Sequence, residues 1–79
     1  MDKNSITIGS GKYNDIIIND DTVSPSHLKI WLQDKKFFIT DLHSQAGTRV
    51  NNKITEQSEI FDNDVIMVGN NIFVFKVLD

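Results

Sequence analysis

The chain has 79 residues and no cysteine, a length that suits one small domain and a composition that excludes disulfides and thiolate metal sites and fits a cytosolic compartment. Eleven Asp and Glu against eight Lys and Arg give a formal charge of −3, and the scattered basic residues form no stripe for nucleic acid. The apolar runs are too short to span a bilayer, and the first residues, MDKNSITIGS, carry no secretory core.

Seventeen Val and Ile stand against four Leu and one Ala, which favours strands over helices. Ser5–Ile8 reads as a strand stopped by Gly9-Ser10-Gly11. Ile16–Ile18 is a short apolar run closed by Asn19-Asp20-Asp21. Residues 22–27 read as a loop, because Pro25 lacks an amide donor and pushes Ser24 out of the α region. Leu28–Gln33 alternates, with Leu28, Ile30 and Leu32 on one face and Lys29, Trp31 and Gln33 on the other. That is the period of a half-buried strand. Asp34-Lys35 turns it into Lys36–Asp41, which makes an antiparallel hairpin. Residues 42–47 are irregular. Residues 48–50 and 53–54 flank Asn51-Asn52, a second hairpin turn. Ser58–Phe61, Val65–Val68 and Ile72–Leu78 complete the set, the last with Phe73, Phe75 and Val77 on one face. No segment supports a helix of ten residues. Short strands at this spacing predict a sandwich or barrel.

Ser24, Ser26 and Ser44 with His27, His43 and Asp41 could be assembled on paper into a hydrolytic triad. A triad is defined by geometry, however, and most small chains offer such a list. His27 opens an apolar strand and reads better as a buried residue fixing the loop before it. No metal set converges, since the two His are far apart and the acidic turns lack calcium-loop spacing. Gly9-Ser10-Gly11-Lys12 resembles a phosphate cradle but lacks the Gly-Lys-Ser/Thr ending and the helix of a nucleotide loop. A nest of amides with Lys12 could still hold one phosphate group. Trp31, with Lys29 beside it, is either partly covered by neighbours or an aromatic anchor on a sheet face.

Four blocks in register resemble the forkhead-associated (FHA) domain: Ile8–Ile16 (IGSGKYNDI), Val23–His27 (VSPSH), Asp41–Asn52 (DLHSQAGTRVNN) and Asp62–Gly69 (DNDVIMVG). The resemblance covers nearly the whole chain. It implies an all-β sandwich of two antiparallel sheets with about ten to eleven short strands, one domain over residues 1–79, and a place within a longer protein. It further implies a non-enzymatic interaction module without cofactor or metal. The expected partner is a protein or peptide, in many members one phosphorylated on threonine. Nucleic acid and direct membrane contact are not expected.

Residue by residue, the resemblance is uneven. Gly9, His27, Asp41, Gly47 and Thr48 match the family's structural positions, and Ser24 matches its phosphate-contacting serine. The family's phosphate-binding Arg is Ser10 here. Its Thr and Asn positions are Gln45 and Ala46, and Pro25 follows Ser24 without a side-chain donor. A charge-assisted hydrogen bond contributes about 1.5–3 kcal/mol, so losing the Arg and Asn bonds together removes roughly 3–6 kcal/mol, or about a hundred- to ten-thousand-fold in affinity. Lys12 or Arg49 are the candidates to compensate, although Lys replaces an Arg fork imperfectly. The resemblance therefore implies degenerate phosphothreonine recognition, with Ser10, Lys12, Ser24, Gln45 and Arg49 as candidate contacts. The role it suggests is a scaffold, as in bacterial secretion-system ring proteins, with a sheet face at Lys29 and Trp31 as an alternative interface to the loops; the alternative role is phosphothreonine-peptide binding through Ser24, with Lys12 or Arg49 in place of the missing Arg.

Overall fold

The computed structural model describes residues 4–78. Nine strands form among them: β1 (Ser5–Gly9), β2 (Ile16–Ile17), β3 (Leu28–Gln33), β4 (Lys36–Asp41), β5 (Thr48–Val50), β6 (Lys53–Ile54), β7 (Gln57–Ile60), β8 (Val65–Val68) and β9 (Asn71–Val74). They make a five-stranded sheet in the order β2-β1-β3-β4-β7 and a four-stranded sheet in the order β6-β5-β8-β9. No helix of the described residues is long and apolar enough to cross a membrane.

The hairpins follow from backbone chemistry. Asp34 and Lys35 both hold positive φ (53° and 65°), as do Asn51 and Asn52 (50° and 70°). Two successive positive φ values define the turn whose twist matches flanking antiparallel strands, and Asn tolerates it best. The first turn sets the register Trp31↔Phe38 and Ile30↔Ile39. Because side chains alternate, that register sends Leu28 and Ile39 into the core together, where both are almost fully buried. Ile8, Val23, Val50, Ile60, Ile66 and Val68 complete the core, with Ile30, Phe37 and Phe75 packed on its margin.

The structure corrects four expectations. There are nine strands among the described residues, not ten to eleven. The sheets are not wholly antiparallel: β2 runs parallel to β1, in the register Ile8↔Ile16. The β1–β2 loop can double back so tightly because side chains replace ladder bonds. Asp15 Oδ2 accepts the Thr7 amide, and the Asp15 amide donates to Thr7 Oγ1. β7 begins and ends one residue early, since the Phe61 amide is taken by Asp64 Oδ2 in the following turn. β9 stops at Val74 instead of Leu78, because its partner β8 is exhausted at Val65↔Val74. Beyond it, Phe75 still exchanges backbone bonds with Asn63 and Asp64 and meets the Phe37 ring edge-on at 5.2 Å.

Gly9 sits where β1 passes the Pro25 carbonyl, and a Cβ there would overlap that oxygen and the Asn14 amide. Gly9→Ala is expected to lower the unfolding free energy by about 1–3 kcal/mol through overpacking, read as a shifted urea midpoint at unchanged slope.

Candidate functional site

The loops at one end of the sandwich are held by two side chains. The first is His27, which is fully buried. Its Nδ1 accepts the Ser24 amide at 3.1 Å. A backbone N–H can only donate, so the ring proton sits on Nε2, which donates to the Gly47 carbonyl at 2.9 Å. The His27 amide donates to Ile8 O, and its carbonyl accepts from the Leu42 amide. One residue thus joins the β1 end, the β2–β3 loop and the β4–β5 loop. With both ring nitrogens committed to backbone, His27 has no lone pair left to act as a base.

The second anchor is Asp41. Its Oδ1 accepts from Ser44 Oγ at 2.5 Å and from Thr48 Oγ1 at 2.8 Å, and Oδ2 accepts the Ser44 amide. Ser44 Oγ in turn accepts the Gly47 amide. Burial is the largest single influence on the Asp41 carboxyl and pushes its pKa up. The hydrogen bonds from Ser44 and Thr48 together outweigh it and hold the pKa below the ordinary carboxylate value. Asp41 therefore orients a loop, not a histidine. Gly47 follows at φ +82°, a backbone conformation that glycine enters without steric cost.

Ser24 lies in a shallow cleft lined by Asp21, Thr22, Val23, Ser24, Pro25, Gln45 and Ala46. Ser24 Oγ accepts the Gln45 amide at 3.0 Å, which sets the cleft wall. Ser10 reaches the same region through its backbone, its amide donating to Ser24 O, while the Gly11 amide donates to Pro25 O. Two N–H groups of the Gly9–Lys12 turn thus already bond carbonyls of the facing loop. Asn14 adds to the clamp, its Nδ2 donating to Gly11 O and Pro25 O.

Ser10, Ser24 and Gln45 are thus brought together, and Lys12 and Arg49 are not among the residues lining that cleft. The Lys12 ammonium stands 5.3 Å from the Tyr13 ring centroid, and Tyr13 lines a neighbouring cleft with Thr7, Asn14, Ser26 and Leu42. Arg49 alternates with the buried Thr48 and Val50 and so stands on the outer face of the four-stranded sheet. Trp31 and Lys29 occupy the outer face of the five-stranded sheet. Trp31 is half-buried, stacks on Phe38 at 4.6 Å, and donates Nε1–H to Thr40 Oγ1. Sequence reasoning passed over Asn14, Pro25 and Ala46 as site formers. The bonds that tie Asn14 and Gly11 to the Pro25 carbonyl span eleven and fourteen residues, and no local pattern announces that pairing.

Among the described residues no buried side-chain N or O lacks a partner, and no group of three or more His, Asp or Glu could hold a metal. The fold is a β-sandwich whose loops at one end enclose the Ser24 cleft. The chain belongs to the FHA domain family, which it matches over residues 6–69. It is 31% identical over 95% of its length to the oxoglutarate dehydrogenase inhibitor of Corynebacterium diphtheriae, 52% of which is covered. It is also 31% identical over 89% of its length to FhaA of Mycobacterium tuberculosis, 13% of which is covered. The chain therefore spans about half of the first relative and a small part of the second. A solved FHA domain studied for phosphothreonine-dependent interactions superposes with TM-score 0.92 at 29% identity, covering all of this chain and 82% of that one. The FhaA FHA domain complexed with the intracellular domain of Rv3910 superposes with TM-score 0.86 at 31% identity, covering 94% of this chain and 81% of that one.

Because the Asp41 pKa is lower in the folded chain than its unfolded value of about 3.9, its hydrogen bonds stabilise the fold fully above that value. The contribution is lost as pH falls through the folded pKa. Asp41→Asn is expected to flatten the acid limb of a stability–pH curve measured by urea unfolding. His27→Ala should cost about 1–3 kcal/mol by stranding the Ser24 amide and the Gly47 carbonyl, and unchanged thermal stability in that variant would contradict the hub assigned to His27.

Proposed function

We propose that this chain is a non-enzymatic protein–protein interaction module that holds its partner without depending on phosphothreonine. The observation that carries this reading is the lining of the Ser24 cleft. It contains the carboxylate of Asp21 and no cation, and the amides of Ser10 and Gly11 that could face a phosphate already donate to Ser24 O and Pro25 O. A phosphate group carries close to two negative charges and requires an Arg fork or free donors. Here it would meet a like charge and engaged amides. Gln45 and Ser24 are suited instead to a neutral extended peptide, since a side-chain amide both donates and accepts and the Ser24 hydroxyl, which accepts the Gln45 amide, keeps its proton to donate. The role is that of a scaffold or assembly domain. Comparison with secretion-system ring proteins is an analogy of fold, and site chemistry has to carry the function.

A second reading has one observation in its favour: the likeness to a domain with phosphothreonine-dependent interactions. In it Ser24 contacts the phosphate and Lys12 or Arg49 supplies the charge.

A titration with phosphothreonine peptides of varied sequence, their unphosphorylated forms and free phosphate, followed by amide chemical shifts, separates the two. Phosphate-independent recognition predicts no phosphate-specific shifts at millimolar ligand. It also predicts that Ser10→Arg gains about ten- to a hundredfold in phosphopeptide affinity, the worth of one charge-assisted bond. Micromolar, phosphate-dependent binding by the unmodified chain, weakened by Lys12→Ala, would establish the second reading. If neither peptide form shifts the loops, the partner surface moves to the sheet face around Trp31 and Phe38.

A further inference from the structure

The loop that walls the Ser24 cleft carries two adjacent carboxylates, and the fold uses only one of them. The Asp20 Oδ1 accepts the Thr22 amide at 2.8 Å and the Thr22 hydroxyl at 2.7 Å, and its Oδ2 accepts Asn71 Nδ2 at 3.0 Å. Asp21 is different. It lines the cleft and is exposed, and among the described residues no hydrogen bond or ion pair engages its carboxylate.

The backbone beneath Asp21 is fixed on both sides. The Val23 amide donates to Asp20 O at 3.0 Å, closing a turn over residues 20–23. Thr22 Oγ1 accepts the Asn70 amide at 3.0 Å, and Gly69 lies so close to the Thr22 carbonyl that a Cβ would overlap it. The β2–β3 loop is thereby clasped to the β8–β9 turn, through bonds that span 48 and 51 residues. A charge carried on a braced turn has little freedom left to lose when it meets a ligand.

Nothing in the lining neutralises that charge, since the cleft contains no Lys, Arg or His. The Lys12 ammonium stands over the Tyr13 ring, beside the neighbouring cleft. A cleft lined by one sign of charge concentrates its field and draws ligands of the opposite sign. Around Asp21 the polar side chains are neutral. The Gln45 side chain can donate and accept, and the Ser24 hydroxyl keeps its proton to donate.

We propose that the cleft selects an unphosphorylated, extended segment of a partner protein that presents an Arg or Lys side chain to Asp21, a selectivity that rests on the phosphate-independent reading of the cleft. Gln45 and Ser24 hold the backbone of the segment, and Asp21 chooses its side chain. Arg suits the position better than Lys, because a planar guanidinium donates two parallel bonds to one carboxylate while an ammonium acts as a point charge. An acidic side chain or a phosphate at the same point meets a like charge and is turned away, so the carboxylate discriminates by repulsion as well as by attraction. The preferred charge is the opposite of a phosphothreonine's.

The probes are acetylated, amidated seven-residue peptides whose central residue is Arg, Lys, Gln or Glu and whose other positions are drawn from Ala, Ser, Gln and Leu. Amide shifts at Thr22, Ser24 and Gln45 report their binding to the unmodified chain. Arg-centred peptides should bind about three- to tenfold more tightly than Gln-centred ones, the range of a partly exposed charge-assisted bond, and Glu-centred ones more weakly than either. Raising the salt concentration should narrow the gap. Asp21→Asn should erase it, and Asp21→Lys should turn it toward Glu. Asp34→Asn removes an equal charge from the β3–β4 turn, outside the cleft lining, and should leave the preference unchanged. Equal binding by all four sets, or an Arg preference that survives Asp21→Asn, overturns the inference and leaves phosphate-independent binding standing. Shifts at these amides from phosphothreonine forms alone, or from no peptide at all, overturn it together with that reading of the cleft.

Discussion

The functional end of this domain depends on one buried imidazole. His27 opens β3, and four hydrogen bonds from its ring and backbone reach Ile8, Ser24, Leu42 and Gly47. Loops have no ladder of their own, so each buried backbone group must find a partner elsewhere. A neutral imidazole offers one acceptor and one donor on opposite sides of a rigid ring. It can therefore bond an amide of one loop and a carbonyl of another at a fixed spacing. Asp41 does the corresponding work inside the β4–β5 loop, where one carboxylate gathers Ser44 and Thr48. Rigid strands below and these two clamps above turn flexible segments into a defined surface.

That surface is largely bonded to itself. Ser10, Gly11 and Asn14 are tied to the facing Ser24–Pro25 segment, and Ser24 to Gln45. Such closure fixes the shape of the cleft and limits what it can recognise. The Ser10 and Gly11 amides are engaged with carbonyls, and the one charge in the lining is that of Asp21. On the reading proposed above, the FHA scaffold is kept where its side chains determine folding, while the loop positions that line the cleft differ in chemistry. A scaffold and its site are separable in this way because core packing and loop closure use different residues from ligand contact.

Much of the architecture was legible in the chain. The Leu28–Gln33 alternation, the Asp34-Lys35 and Asn51-Asn52 turns and the lack of helix formers each reflect a local rule, and local rules act within a few residues. The last strand was harder. Its alternation from Ile72 to Leu78 is regular, yet the strand ends at Val74 because β8 supplies no further partner. The parallel pairing of β2 was invisible, since the loop before it is held by reciprocal bonds between Asp15 and Thr7, eight residues apart. Of the candidate site, Ser24 and Gln45 could be marked by the family's spacing. Whether a cation stood beside them could not: Arg49 is a neighbour of the motif in sequence and stands on the outer face of a sheet in space.

The sequence by itself determined the strand set, the hairpin turns, the family and the chemical character of the loop residues. These are properties of composition and of periodicity over short spans. Only the tertiary structure decided which loop amides are engaged and which side chains share the cleft. Each of those depends on pairing between segments far apart in the chain, where register and burial, not residue type, determine which groups meet.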